Sequence, residues 1–267
     1  MKFIPVALFA AAVSASCGRI PQKRTADGTG HVFHFSYSGD HGPLNWHHIV
    51  ADSDTCAHGR HQSPIDLNPK SVTFSRRGDV RIDIPTAESA KLENLGAGLE
   101  VVLTNGTLTT PDNTYQLVQF HWHTPSEHRI NQEHFPLEAH FVFQDAENHL
   151  AVVGFLAQLS ESGHSTCLFD NVFKQIDAVR HPGDYAYIGP LDFSEIARHL
   201  DRNPPVQYNG SLTTPPCSEG VRWYVSSQPL PLSVKSYNAV KRLLKFNARY
   251  IQNTLGSENL LDLASHD

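Results

Sequence analysis

The sequence lacks any excess of positive charge. Its 267 residues include 27 acidic and 21 basic side chains, which give a formal net charge of −6. Proteins that bind nucleic acid neutralise phosphates with clustered lysine and arginine, so we expect no nucleic-acid partner. Charged residues are also scarce, at 18% against 40% hydrophobic residues. This composition excludes a disordered chain and predicts a globular protein with a sizeable core.

Internal repeats and long apolar runs are absent as well. The 17 glycines and 17 prolines are spread along the chain without a period, which argues against solenoids and coiled coils. The longest apolar run, residues 3–13, is too short to span a bilayer and follows a lysine, which is typical of a secretory signal. We therefore predict a signal peptide over 1–15 and a secreted, extracellular protein (periplasm or cell wall included) with no membrane span after signal removal.

A polar segment follows the predicted signal. Residues 16–30 contain the dibasic pair Lys23-Arg24, where a processing protease could cut, so this segment is a candidate pro-segment. No linker or break in composition follows it. We predict a single domain over 31–267, a length that all-β domains reach.

Strand-like runs dominate the middle of the chain. The predicted strands cover residues 99–104, 107–109, 115–123, 137–144, 150–159 and 221–227. Asn105-Gly106 suits a type I′ turn and predicts a hairpin between the first two of them. Helical spacing is limited to residues 168–179, 193–200 and 234–246. The fold class that we predict is mainly β, with a largely antiparallel sheet and peripheral helices.

Histidine is the one residue type in excess, with 17 copies. His121 and His123 lie in a predicted strand, where alternate side chains share a face and stand about 7 Å apart. In a chain this rich in histidine such a pair is expected by chance, so the pair alone does not indicate a metal site. A second predicted strand adds His140, and three histidines with an open fourth position form the zinc site that keeps a reactive water. Gln119 and Glu138 precede His121 and His140 on the same faces as candidate hydrogen-bond partners of the ligands.

The same stretch of sequence also fits a different metal site. His121, His123 and Glu127 have the spacing of a cupin motif, which holds iron or manganese for oxygen chemistry. That motif also requires a glycine at about position 134, and this chain has His134 there. We therefore regard the cupin hypothesis as the weaker one.

The chain resembles the α-class carbonic anhydrases in a series of motifs that occur in the family's order and spacing. The motifs are Gln119-Phe-His-Trp-His123, Ser126-Glu-His128, Glu138-Ala-His140 and Ser211-Leu-Thr-Thr-Pro-Pro216, with Gln62-Ser-Pro-Ile65, Trp46, Trp223 and Phe246-Asn-Ala-Arg249 around them. The resemblance implies a central twisted sheet of about ten strands with zinc in a conical cleft. It also implies reversible hydration of CO2 to bicarbonate by zinc-bound hydroxide.

The resemblance assigns a role to each site residue. His121, His123 and His140 are the implied zinc ligands, and Thr213 with Glu127 is the implied catalytic pair that orients the hydroxide. The implied partners of the ligands are Gln119, Glu138 and Asn247, and the implied substrate-binding residues are Thr213, Thr214, Val142, Val152, Leu212 and Trp223. A catalytically silent binding module on the same fold is the alternative, although silent members of the family have lost zinc ligands that this chain keeps.

One position departs from the family pattern. Ala97 aligns with the histidine that shuttles protons in fast members, and alanine cannot titrate. The sequence leaves two routes open, another histidine in the cleft or transfer through water to buffer.

Three cysteines remain after the predicted signal and Cys17 are removed, and their spacing alone does not choose a pair. The resemblance implies a Cys56–Cys217 disulfide, as in extracellular members. Cys167 is then either buried and inert or links two chains into a homodimer. The sequons at Asn105 and Asn209 are candidate glycosylation sites.

Overall fold

The structure is a computed structural model that describes residues 23–24 and 32–266. The predicted signal peptide over 1–15 and all of the polar segment except residues 23–24 lie outside the described residues. No helix within 32–266 has the length and apolar character needed to cross a bilayer.

A large sheet organises the chain, and a small one flanks it. The described residues form 15 strands, which are β1 (Lys23–Arg24), β2 (Asp66–Leu67), β3 (Thr73–Phe74), β4 (Arg81–Asp83), β5 (Ala90–Asn94), β6 (Leu99–Val102), β7 (Thr107–Thr109), β8 (Thr114–His123), β9 (Arg129–Ile130), β10 (Glu133–His134), β11 (Leu137–Gln144), β12 (Leu150–Leu159), β13 (Tyr185–Ile188), β14 (Val206–Ser211) and β15 (Glu219–Leu232). The large sheet has 12 strands in the order β1-β13-β5-β6-β8-β11-β12-β15-β14-β3, with β7 on β8 and β4 on β7. Only β12 and β15 run parallel in it, which confirms the predicted, largely antiparallel fold class.

Helices are few and peripheral in the part of the chain that the structure describes. They are α1 (Trp46–Ile49), α2 (Thr55–His58), α3 (Cys167–Phe173), α4 (Ser194–Arg202), α5 (Val234–Leu244) and α6 (Leu260–Ser265), with 3-10 turns at Gly39–His41 and Ile176–Ala178. The three predicted helices correspond to α3 with the second 3-10 turn, to α4 and to α5. Helix α5 ends two residues before the predicted boundary because Lys245 adopts a φ of 59°, which a right-handed helix cannot continue.

The predicted hairpin at Asn105-Gly106 is wrong. Strands β6 and β7 do not pair with each other, since both pair with β8 at different places along its ten residues. Gly106 is nonetheless required, because a Cβ there would lie 2.9 Å from Ile84 and its φ is 152°. The long neighbouring strand overrides the local turn preference.

The two faces of the central strands serve different purposes. Phe141 and Phe143 of β11 belong to the main core, which packs one face of the sheet against helices α3, α4 and α5. The alternate residues Glu138, His140 and Val142 are also buried but face the other way. Five of the eight residues of β11 are apolar, and its buried polar residues Glu138 and His140 lie in the candidate site.

Candidate metal centre

Three imidazoles converge from two neighbouring strands. His121 and His123 share one face of β8, and the antiparallel register places His140 of β11 directly opposite His121. The ring centroids are 4.6 to 5.2 Å apart. One ring nitrogen of each lies within 4.8 Å of those of the other two, whereas Glu127, the third ligand of the cupin hypothesis, is not in that group. The structure thus brings together the three histidines that the sequence predicts as ligands.

The second ring nitrogen of each β8 histidine is held by a hydrogen bond. Nδ1 of His121 lies 2.8 Å from Oε1 of Gln119, and Nδ1 of His123 lies 2.7 Å from the backbone oxygen of Asn247. Both acceptors fix the ring orientation and the tautomer. Nε2 of His123 is buried and makes no hydrogen bond. A buried nitrogen without a partner beside two other imidazoles fits a Zn²⁺ ion.

His140 is oriented by a buried carboxylate network. Its Nε2 lies 2.9 Å from Oε1 of Glu138, which leaves Nδ1 for the shared centre. The same oxygen lies 2.7 Å from Nδ1 of His128, and Nε2 of His128 lies 2.6 Å from the hydroxyl of Tyr208. The backbone N–H groups of Glu127 and His128 donate to the other carboxylate oxygen. His128 appeared in the sequence motif without a role, because only the fold brings Tyr208 to it.

Burial sets the charge of these groups. It lowers the pKa of His121 well below its usual range, lowers that of His123 to about 4 and lowers that of His140. The three rings are therefore neutral near pH 7, as metal ligands must be. Burial alone would raise the pKa of Glu138, but His128 and His140 hold it well below the usual carboxyl range. A permanent carboxylate thus stands behind His140.

Glu127 adjoins the imidazoles, and both Glu127 and Thr213 are buried. Oε2 of Glu127 lies 3.4 Å from Nε2 of His123, and Oε1 accepts the backbone N–H of Arg249 at 2.8 Å. Burial raises the pKa of Glu127 to about 7, against the opposing effects of His140, the Arg249 N–H and a hydrogen bond with the Thr213 side chain. Thr213 therefore lies close enough to Glu127 to affect its pKa.

The predicted substrate-binding residues divide between two walls. Val142, Val152 and Trp223 belong to one buried apolar cluster, with Leu212 packed against it. The Trp223 ring is 4.8 Å from that of His140, so this cluster adjoins the imidazoles. Thr214 instead lines a cavity of about 60 Å³ that also contacts His121, His123, Gln119 and Asn247.

That cavity also contains Ala97 and residues that sequence reasoning missed. Phe33, Tyr37 and Glu100 line it, and its only histidines among the described residues are His121 and His123. Burial, with a smaller effect of Glu93, raises the pKa of Glu100 to about 7. Glu100 lies beside His121 because the two residues pair across β6 and β8, and this pairing cannot be read from the linear sequence.

The remaining predicted residues are the cysteines and the asparagines of the two sequons. Cys56 and Cys217 form the implied disulfide across 161 residues, and both are fully buried. Cys167 is half-buried at the start of α3, where its backbone N–H donates to Glu195. Asn105 and Asn209 are exposed.

Comparisons with known proteins agree with this geometry. The family model of eukaryotic-type carbonic anhydrases matches residues 41–259. A solved fungal alpha carbonic anhydrase from Aspergillus oryzae is 52% identical with a TM-score of 0.85, and the match covers 87% of this chain and 99% of that one. Alpha carbonic anhydrase 8 of Arabidopsis thaliana is 33% identical over 229 residues, which are 82% of this chain but only 58% of the relative. A dioscorin solved in complex with ascorbate is 29% identical with a TM-score of 0.70, covering 83% of this chain and 95% of that one. The chain therefore belongs to the eukaryotic-type, or alpha, carbonic anhydrase family of enzymes.

Proposed function

We propose that this chain hydrates CO2 reversibly to bicarbonate and a proton, with Zn²⁺ held by His121, His123 and His140. The observation that carries the proposal is the convergence of three imidazoles, of which two have Nδ1 engaged by Gln119 and Asn247 and the third has Nε2 2.9 Å from a Glu138 oxygen. When bound, Zn²⁺ supplies the Lewis acidity that makes water a nucleophile near neutral pH.

Thr213 and Glu127 orient the nucleophile in this proposal. Glu127 accepts a hydrogen bond from the Thr213 hydroxyl. The lone pairs of the Thr213 oxygen are then free to accept a hydrogen bond from the attacking hydroxide. A lone pair of the hydroxide oxygen then points at the carbon of CO2, so the two reacting atoms are aligned before reaction. The backbone N–H of Thr213 would receive an anion or a developing oxyanion.

The apolar cluster supplies the place for CO2. Val142, Val152, Leu212 and Trp223 offer CO2 an uncharged surface beside His140. Bicarbonate carries a charge and gains nothing from such a wall, so it leaves to the solvent side as the next water enters.

Thr213→Ala should lower kcat/KM for CO2 by about a hundredfold, the scale on which one positioned group in a transition-state site acts. Zinc content should remain one per chain because no ligand is touched. Stopped-flow hydration and metal analysis measure both, with Thr109→Ala, an exposed threonine of β7, as the matched control. Unchanged turnover in Thr213→Ala would refute the orienting role.

Turnover should depend on buffer because Ala97 cannot shuttle protons. We expect kcat to rise with imidazole concentration while kcat/KM stays constant, and to lie below that of relatives with a shuttle histidine. Ala97→His should raise kcat in dilute buffer, between severalfold and about a hundredfold. A kcat that is independent of buffer in the unmodified chain would contradict this prediction.

Secretion and glycosylation belong to the same proposal. The Cys56–Cys217 disulfide is typical of oxidising compartments, and the exposed side chains of Asn105 and Asn209 leave room for glycans. Oδ1 of Asn209 accepts a hydrogen bond from Arg222 at 2.9 Å, and its sequon adjoins the Thr213 turn. Asn105 is therefore the better acceptor.

Stopped-flow CO2 hydration by the zinc-loaded protein tests the proposed function. We expect turnover far above the uncatalysed rate. A protein that retains one tightly held zinc without turnover would instead be the silent binding module.

A further inference from the structure

A three-residue segment after α5 holds two different parts of the site. This segment, the C-terminal strap, consists of Asn247, Ala248 and Arg249. The backbone oxygen of Asn247 lies 2.7 Å from Nδ1 of His123, and the backbone N–H of Arg249 donates to Oε1 of Glu127 at 2.8 Å. The strap has no regular secondary structure, so its backbone needs other anchors to keep these contacts.

The first anchor is the side chain of Asn247. Its Oδ1 accepts the backbone N–H of Thr124 at 2.7 Å, and its Nδ2 donates to the backbone oxygen of Trp122 at 2.9 Å. Both partners are within or next to β8. The His123 end of the strap is therefore fixed to the strand that carries His123 itself.

The second anchor is the guanidinium of Arg249. Its Nη1 donates to Oε1 of Gln62 at 2.9 Å and to the backbone oxygen of Ser63 at 2.8 Å, and its Nη2 donates to the backbone oxygen of Cys56 at 3.1 Å. The planar fork of arginine reaches acceptors on two separate stretches of chain, which a lysine ammonium cannot do in one position. The Glu127 end of the strap is thus tied to α2 and to the segment that follows it.

The environment of this guanidinium is unusual for a cation. Arg249 is 2% exposed and forms no ion pair with any carboxylate in the described part of the chain. Its partners are neutral oxygens, and it lies 5.8 Å from the centre of the Trp46 ring. Burying a charge without an opposite charge is costly. A residue that served only to fill this space would not need to be an arginine.

We propose that Arg249 is a positioning residue, whose guanidinium fixes the strap so that its backbone N–H holds Glu127 in place for Thr213. The proposal rests on the proposed function of Glu127 and Thr213. It assigns Arg249 no contact with substrate or metal. The side chain acts through one backbone hydrogen bond.

A double-mutant cycle separates positioning from general stabilisation. Arg249→Lys keeps the charge but loses the fork, and we expect it to lower kcat/KM for CO2 about tenfold at full zinc occupancy, since small displacements near reacting groups are costly. In a Thr213→Ala background the same change should lower kcat/KM less than about twofold, because the Thr213 hydroxyl that Arg249 supports through Glu127 is already absent. Each enzyme is loaded with zinc and assayed by stopped flow.

Ile196→Ala is the matched control for stability. Ile196 is fully buried in α4, in the main core on the other face of the sheet, so its loss should lower the melting temperature and leave kcat/KM of the folded enzyme unchanged. If Arg249→Lys does not fold, Arg249→Met takes its place, because a similarly long neutral side chain removes the hydrogen bonds without burying a charge.

Two results would overturn the proposal. One is that the Arg249 substitution lowers kcat/KM by the same factor with and without the Thr213 hydroxyl, which would mark Arg249 as merely structural. The other is an unchanged kcat/KM in the zinc-loaded Arg249 variant. Failure of the unmodified protein to hydrate CO2 is a separate result, seen before any variant is made, and it would refute the proposed function and this proposal with it.

Discussion

We expect His140→Ala to abolish CO2 hydration and the retention of zinc together. His140 supplies the third imidazole of the centre from β11, and Nε2 of its ring lies 2.9 Å from Glu138 on the side away from the centre. Loss of a group that merely orients a ligand weakens metal binding by about 10- to 100-fold, so loss of a ligand should exceed about a hundredfold. Metal analysis after dialysis measures zinc retention, and stopped flow measures turnover.

His134→Ala is the matched control for this prediction. His134 lies on the short strand β10, is exposed and takes no part in the site, so zinc and turnover should both persist. Retention of one zinc with normal turnover in His140→Ala would mean that the triad is not the metal site.

The double variant Cys56→Ser, Cys217→Ser should lose about 4–5 kcal/mol of unfolding free energy, the chain-entropy value for a loop of this length. The disulfide closes a loop between residues that are 161 positions apart. Without it the unfolded chain gains conformational freedom, while the folded core is little changed. Urea unfolding followed by tryptophan fluorescence measures the difference, with both proteins loaded with zinc.

The disulfide also supports the turn that presents Thr213. The backbone N–H of Cys217 donates to the Thr214 oxygen at 2.9 Å, and that of Leu212 donates to the Ser218 oxygen at 3.0 Å. Turnover of the double variant should therefore fall even where it stays folded. A reductant supplies the internal control, since it should destabilise the parent protein to the level of the variant and leave the variant unaffected. Equal stability of the two proteins without reductant would contradict the prediction.

Short-range patterns in the sequence were enough to place two of the three candidate metal ligands on one face. His121 and His123 share a face because strand side chains alternate, and that rule holds whatever the strand pairs with. The convergence of His140 depended on pairing between β8 and β11, which the family resemblance implied. Likewise, the Cys56–Cys217 pair followed from the resemblance and not from spacing.

Features that depend on distant pairing were not predictable. Asn105-Gly106 suits a tight turn, yet β6 and β7 each pair with β8 and not with each other. Glu100 enters the cavity only because β6 lies beside β8 in a particular register. The contacts of Arg249 join residues nearly 190 positions apart, so no local pattern announces them.

Zinc removal and return is the most direct test of the central claim. The protein is dialysed against a chelator and then titrated with Zn²⁺ while CO2 hydration is followed by stopped flow. The predicted result is loss of turnover on removal and full recovery at one zinc per chain. Turnover that survives complete removal of zinc, or that returns with iron or manganese but not with zinc, would contradict the account.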